Sequence, residues 1–296
     1  MKLKEKYISK IALIISMLIF GTIGIFKEYI PLSSGLLAML RGIIGSIFLL
    51  IIFIIEHKRF DLNAIKNNLI ILIISGAAIG FNWILLFEAY NHTTIATATL
   101  CYYMAPVFVI FASPLFIKEK LTLKQLICSL IAIFGMVLVS GIFDVGFSNI
   151  KELVGVFLGL GAAILYASVI ILNKKIVGVS AFERTIIQLA SAGIVLIPYT
   201  MIFENNINLI LNTKVIFLIL IVCLVHTGIA YSLYFYSVKN VKAQTAAIYS
   251  YIDPIFAILL SGIILKQEIN FSTVVGAIVI LGSTLISEID FKKVRP

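Results

Sequence analysis

Charge is what this sequence has least of. Only 12% of its 296 residues are Asp, Glu, Lys or Arg, about half the share of an ordinary soluble domain. Such a chain cannot clothe a water-facing surface. With 61% hydrophobic residues and a mean hydropathy of +1.13, it is an integral membrane protein by composition. Cysteine is scarce as well. Cys101, Cys128 and Cys223 each fall inside an apolar run, with no C-x-x-C or metal-ligand spacing, so they read as small apolar fillers and neither a disulfide framework nor a metal site is expected. Catalytic signatures are missing too. There is no HExxH, no GxSxG and no GxxxxGK[ST], which argues against an intramembrane enzyme and against an ATP-driven pump within this chain, and no cofactor is expected. Acidic residues are outnumbered 14 to 23. The basic excess lies in short clusters between apolar runs, which suits membrane topology and not nucleic acid.

What is present is apolar length. A spanning helix needs about 20 predominantly apolar residues. Ten runs meet that need, near residues 8–26, 34–55, 68–89, 94–117, 122–142, 152–172, 181–203, 214–237, 242–265 and 271–288. The first follows MKLKEKYISK and has a signal-peptide look, but no A-x-A-like cleavage site follows it, so it reads as a retained first helix. If the N-terminus is cytoplasmic, 18 of the 23 Lys and Arg fall on the inner side, four (Lys27, Lys151, Lys214, Lys266) on the outer side, and Arg41 within a run. That split follows the positive-inside rule and predicts both termini in the cytoplasm.

The chain also repeats itself. Setting the segment from Gly80 against that from Gly228 matches Leu85/Leu233, Phe87/Phe235, Thr97/Thr245, Ala98/Ala246, Tyr103/Tyr251, Pro106/Pro254 and Phe108/Phe256 without a gap. The offset of 148 divides the chain into residues 1–148 and 149–296, five runs each, within one membrane domain. Because five is odd, the second half must enter the membrane inverted. The expected fold is therefore all-α, with ten transmembrane helices as two inverted five-helix repeats. Inverted repeats let two halves exchange conformations, as in many secondary transporters.

At this point the chain resembles a known family, the EamA-type members of the drug/metabolite transporter superfamily. The resemblance covers essentially the whole chain. It rests on FGTIGIFKEYIPLSSGLLAMLRG, on the two proline-centred spans with the acids that follow (FIKEKLT and LKQEIN), and on the duplicated ten-span plan. It implies a helical bundle that moves small polar or amphipathic metabolites, an amino acid or similar compound, outward across the cytoplasmic membrane. A membrane receptor or scaffold would explain ten spans but not the inverted duplication with matched prolines. The expected partners are a small-molecule substrate, the lipid bilayer and, as a candidate, a second copy of the chain in a homodimer.

The stretch IYSYIDPIFAILL carries the sharpest chemistry. Pro106 and Pro254 each lie about ten residues into a span and free the carbonyls of Tyr102 and Ser250. Matched interruptions of this kind point to a binding site. An Asp at mid-depth costs roughly 2.5–3.5 kcal/mol, so Asp253 needs a partner or a wet face. It could carry a proton, balance a cationic substrate or serve structurally. His226 is a second mid-depth candidate, to exchange protons with Asp253 or bind substrate, with a neutral ring bonded to a backbone carbonyl as the alternative. Asn82, Trp83, Tyr231 and Tyr234 belong to equivalent spans, and with Tyr102, Tyr103, Tyr249, Ser250 and Tyr251 they form a candidate aromatic cavity wall. Arg41 reads as a snorkelling or ion-paired arginine, with an anionic substrate group as the alternative. Glu88, Glu119 and Glu268, at span ends, suit capping or gating salt bridges. The paired glycines, such as Gly21/Gly24 and Gly42/Gly45, suit close helix packing.

Overall fold

In a lipid solvent every backbone N–H and C=O must be satisfied within the chain, which leaves helices as the way for an apolar segment to cross. The structure, a computed structural model, describes residues 2–116, 118, 121–139, 150–204, 212–241, 246 and 249–288. Among them all regular elements are helical. They are α1 (Lys2–Gly21), α2 (Ile23–Glu28), α3 (Ser34–Ile55), α4 (Leu62–His92), α5 (Ile95–Tyr102), α6 (Ala105–Phe116), α7 (Leu123–Val139), α8 (Ile150–Lys175), α9 (Ala181–Phe203), α10 (Thr213–Leu220), a π-helical segment (Ile221–Ile229), α11 (Ala230–Asn240), α12 (Ile252–Ile263) and α13 (Phe271–Glu288).

Among the described residues seven helices, some formed by consecutive elements, are long and apolar enough to cross a membrane; Leu123–Val139, Ile252–Ile263 and Phe271–Ser287 are shorter apolar helices at the fifth, ninth and tenth expected spans. Boundaries follow from capping. Asp61 accepts from the Ala64 N–H, so α4 begins six residues before the apolar run at 68 and takes in the polar turn LNAIKNN. Ser180 and Glu183 form a capping box at the start of α9.

The burial pattern is that of a protein in lipid. Large apolar side chains such as Ile70, Phe157 and Ile278 face outward, while Ser75, Thr227 and Ser261 are buried. Small residues let helices meet closely. A Cβ at Gly42 would lie 2.5 Å from the Gly193 nitrogen where α3 crosses α9. One at Gly276 would lie 2.7 Å from the Gly135 carbonyl oxygen where α13 crosses α7. The close-packing role expected of Gly42 is seen here directly.

Several contacts between helices recur at the offset of the sequence match. The pairs α3–α9, α5–α12 and α7–α13 each join corresponding spans of the two halves. Other contacts come as counterparts: α4–α8 with α11–α1, α6–α8 with α12–α1, and α4–α9 with the π segment on α3. Gly80 and Gly228, matched in sequence, occupy matched places. Gly80 packs on Leu196 and Ala192 of α9, and Gly228 on Phe48 of α3.

Candidate functional site

The fourth and ninth expected spans are both interrupted at their matched tyrosines. α5 ends at Tyr102, Tyr103 and Met104 form a turn, and α6 starts at Ala105 with Pro106 second. Across the bundle Tyr251 forms the turn, and α12 starts at Ile252 with Asp253 second and Pro254 third. A proline in the first turn costs no intrahelical bond, because that N–H has no partner there anyway. A carboxylate in the first turn faces the positive end of the helix dipole. The Asp-Pro pair is thus the start of a helix inside the bundle.

Tyr103 and Tyr251 face each other, with ring centroids 6.4 Å apart. The Tyr103 hydroxyl lies 2.8 Å from Asp253 Oδ2 and 3.4 Å from the Ser250 carbonyl oxygen, both within donating reach. Gly21 closes the other side, since a Cβ there would sit 2.7 Å from the Asp253 carbonyl oxygen.

These breaks border a cavity of about 350 Å³. Of the expected wall residues, Trp83, Tyr102, Tyr103, Tyr231, Tyr234, Ser250 and Asp253 line it, as does Pro106. Tyr90, Tyr166 and Arg41 line it in addition. Tyr166 stacks near Tyr102, with centroids 5.3 Å apart. Its mid-span position is the same signal that singled out Tyr103, whereas Tyr90 near a span end resembles an interfacial belt residue.

Asn82, His226, Tyr249, Tyr251 and Pro254 do not line the cavity. Asn82 turns its amide to the Ala162 carbonyl of α8. His226 is buried between helices, its Nε2 2.8 Å from Thr22 Oγ1 and its ring edge-on to Phe26. No hydrogen bond joins it to Asp253 among the described residues, so the expected proton exchange between them has no direct path here. Tyr249 sits in the helical turn before the break.

Arg41 departs from its expected role. It neither snorkels nor forms an ion pair among the described residues; it is 3% exposed, inside the bundle. Its Nε donates to Thr227 Oγ1 at 3.2 Å, and its guanidinium lies 4.0 Å over the Trp83 ring and 5.4 Å from Phe87. Thr227 belongs to the π segment, and its hydroxyl also lies 3.3 Å from the Val222 carbonyl oxygen five residues back. π-Helical turns inside α-helices recur at functional sites. Nothing in the sequence announces this one.

Two span-end carboxylates, Glu88 and Glu204, meet the start of α3, and Glu204 takes a backbone N–H there. Glu88 accepts from Ser34 Oγ at 2.8 Å, and Glu204 accepts from Ser33 Oγ and the Gly35 N–H, all at the start of α3. Glu119 lies outside the described residues. Among the described residues no cluster of His, Cys, Asp and Glu has the geometry to hold a metal ion.

The EamA-like transporter family model matches residues 8–141 and again residues 153–288. The chain belongs to the EamA-like transporter family. It is 29% identical over 265 residues to the uncharacterized transporter YxxF of Bacillus subtilis, covering 87% of this chain and 82% of that protein. It is 24% identical to the uncharacterized transporter YetK of the same organism, over 96% of this chain and 86% of that one. An uncharacterized transporter of Archaeoglobus fulgidus is 25% identical over 93% and 94% of the two chains. One solved crystal structure superposes with a TM-score of 0.67 over 95% of this chain and 97% of that chain, at 15% identity, and so shares the fold. This member of the EamA-like family is a multi-pass membrane transporter by kinship, and its cavity is where transport chemistry has to be sought.

Proposed function

We propose that this chain is a secondary active transporter that exports a small polar or amphipathic metabolite, such as an amino acid, by alternating access across the cytoplasmic membrane. Ten spans arranged as inverted five-helix repeats, residues 1–148 and 149–296, would place both termini in the cytoplasm. The observation that carries the reading is the cavity between two broken helices, lined from both halves and holding Arg41 and Asp253 with no ion pair between them. The paired packing of the halves supports it, because two halves of like fold can exchange states at similar energy. The names of the relatives support transport as such.

The test is counterflow. Purified protein in proteoliposomes preloaded with a metabolite pool should accumulate labelled substrate without an imposed gradient. A receptor, scaffold or enzyme would show no counterflow with any member of a broad metabolite panel.

A further inference from the structure

Two irregularities of the bundle meet at one hydrogen bond. The first expected span breaks at Thr22, a turn between α1 and α2. The N–H and the hydroxyl of Thr22 both donate to the Ile19 carbonyl, at 3.1 and 2.7 Å. With its one proton so used, the hydroxyl accepts from His226 Nε2 at 2.8 Å. His226 lies in the π segment and also meets Phe26 edge-on, one turn along α2. In the counterpart contact, α4 against α8, both helices run unbroken. The break and the π register therefore occur together, on one side of the bundle.

The six-residue α2 stands over one end of the cavity, exterior in the proposed topology. Ile23 and Gly24 line the cavity, and a Cβ at Gly24 would lie 2.7 Å from Ile95 Cγ2 at the start of α5. On the other side of the break Gly21 packs on the Asp253 carbonyl oxygen, which fixes α1 to α12. Hinges fall at element ends that absorb a change of φ and ψ. Next to His226 in the chain, Thr227 holds Arg41 in the cavity wall. One π segment thus grips the break with one side chain and a cavity charge with the next.

Resting on the transporter reading of this cavity, we propose that α2 is a lid hinged at Thr22, shut in this structure, and that the π segment couples the lid to Arg41. His226 is a positioning residue, which holds the hinge and does not line the cavity. Two sites are coupled when both bias one shared element, here residues 226 and 227. A ligand that draws the Arg41 guanidinium from Thr227 acts on the segment that keeps the lid shut.

The test places a thiol beneath the lid and measures its exposure. Ala257 lines the cavity from α12, and Ala257→Cys in full-length protein in nanodiscs is labelled with a charged, membrane-impermeant thiol reagent. The three native cysteines are buried, and protein without the added thiol gives the background rate. Thr22→Val and His226→Phe each remove the hinge bond from one side, and each should speed labelling roughly three- to tenfold, the factor of one lost hydrogen bond. Thr22→Ser should restore the slow rate. Thr227→Val should speed labelling as well, and Thr22→Val with Thr227→Val should be no faster than either alone.

An unchanged rate in Thr22→Val and His226→Phe overturns the hinge. So does a Thr22→Ser rate as fast as that of Thr22→Val, which would mean general loosening. Rates that multiply in the double variant overturn the coupling. A separate arm needs neither hinge variant: Gly24→Cys with Ile95→Cys, oxidised to a disulfide, should stop counterflow, and reduction should restore it. Counterflow at the native rate through the oxidised protein overturns the lid. Labelling as expected, with no counterflow from unmodified protein, would instead overturn the transport reading and leave the hinge standing.

Discussion

The hydroxyl of Tyr103 lies 2.8 Å from the carboxylate of Asp253, 150 residues away and in the other half of the chain. The same hydroxyl lies 3.4 Å from the Ser250 carbonyl oxygen, so its one proton is directed at the nearer carboxylate. Tyr103→Phe would remove the donor from the Asp253 carboxylate. A hydrogen bond to a charged group is worth about 1.5–3 kcal/mol, so apparent affinity in counterflow should fall by roughly tenfold or more. Unchanged affinity would show that Asp253 needs no such partner.

Asp253→Asn keeps the shape of the first turn of α12 and removes its charge. As a ligand-binding group, its loss should abolish gradient-driven uptake and counterflow together, at unchanged expression. If Asp253 only carried a proton, counterflow would survive. If uptake under a proton gradient were normal, the carboxylate would be structural.

Thr227 touches Arg41 but not the cavity. Thr227→Val should let the guanidinium shift and weaken binding of ligands that bear a carboxylate by about tenfold, the scale of one hydrogen bond to a charged group. Amines lacking the carboxylate should bind as before, and Thr227→Ser should restore the preference. Asn82→Ala removes a buried bond to Ala162 instead, so it should lower thermal stability by about 1–2 kcal/mol without altering which ligand is preferred.

Gly42 has no room for a methyl group against Gly193. Gly42→Ala should force α3 from α9 and cost about 1–3 kcal/mol, read as a lowered unfolding temperature in detergent. Gly282, with nothing within 4 Å of its would-be Cβ, is the control, and Gly282→Ala should change stability by no more than about 1 kcal/mol.

Reporter fusions at Pro296 and near Asn91 test the orientation. The charge distribution predicts cytoplasm for the first and exterior for the second. The opposite pattern would overturn the span count.

The sequence by itself determined the membrane class, the helical character and the family, and it raised the repeat and a mid-span site as expectations. Hydropathy and charge report position along the membrane normal, and identities at a constant offset report duplication. Pro106, Pro254, Tyr103 and Asp253 were legible because a helix breaker or a charge at mid-depth is costly wherever its side chain points. Rotation about each helix axis was not legible. A helix that is apolar nearly all round carries no stripe to say which face meets a neighbour and which meets a cavity. For that reason Asn82, a candidate wall residue, and His226, a candidate for proton exchange or substrate binding, pack between helices instead, and Arg41, read first as snorkelling or ion-paired, faces the cavity. The π segment was invisible because it is a change of hydrogen-bond register that no residue type in IVCLVHTGI announces; only the tertiary structure shows it, with His226 on Thr22 and Thr227 on Arg41.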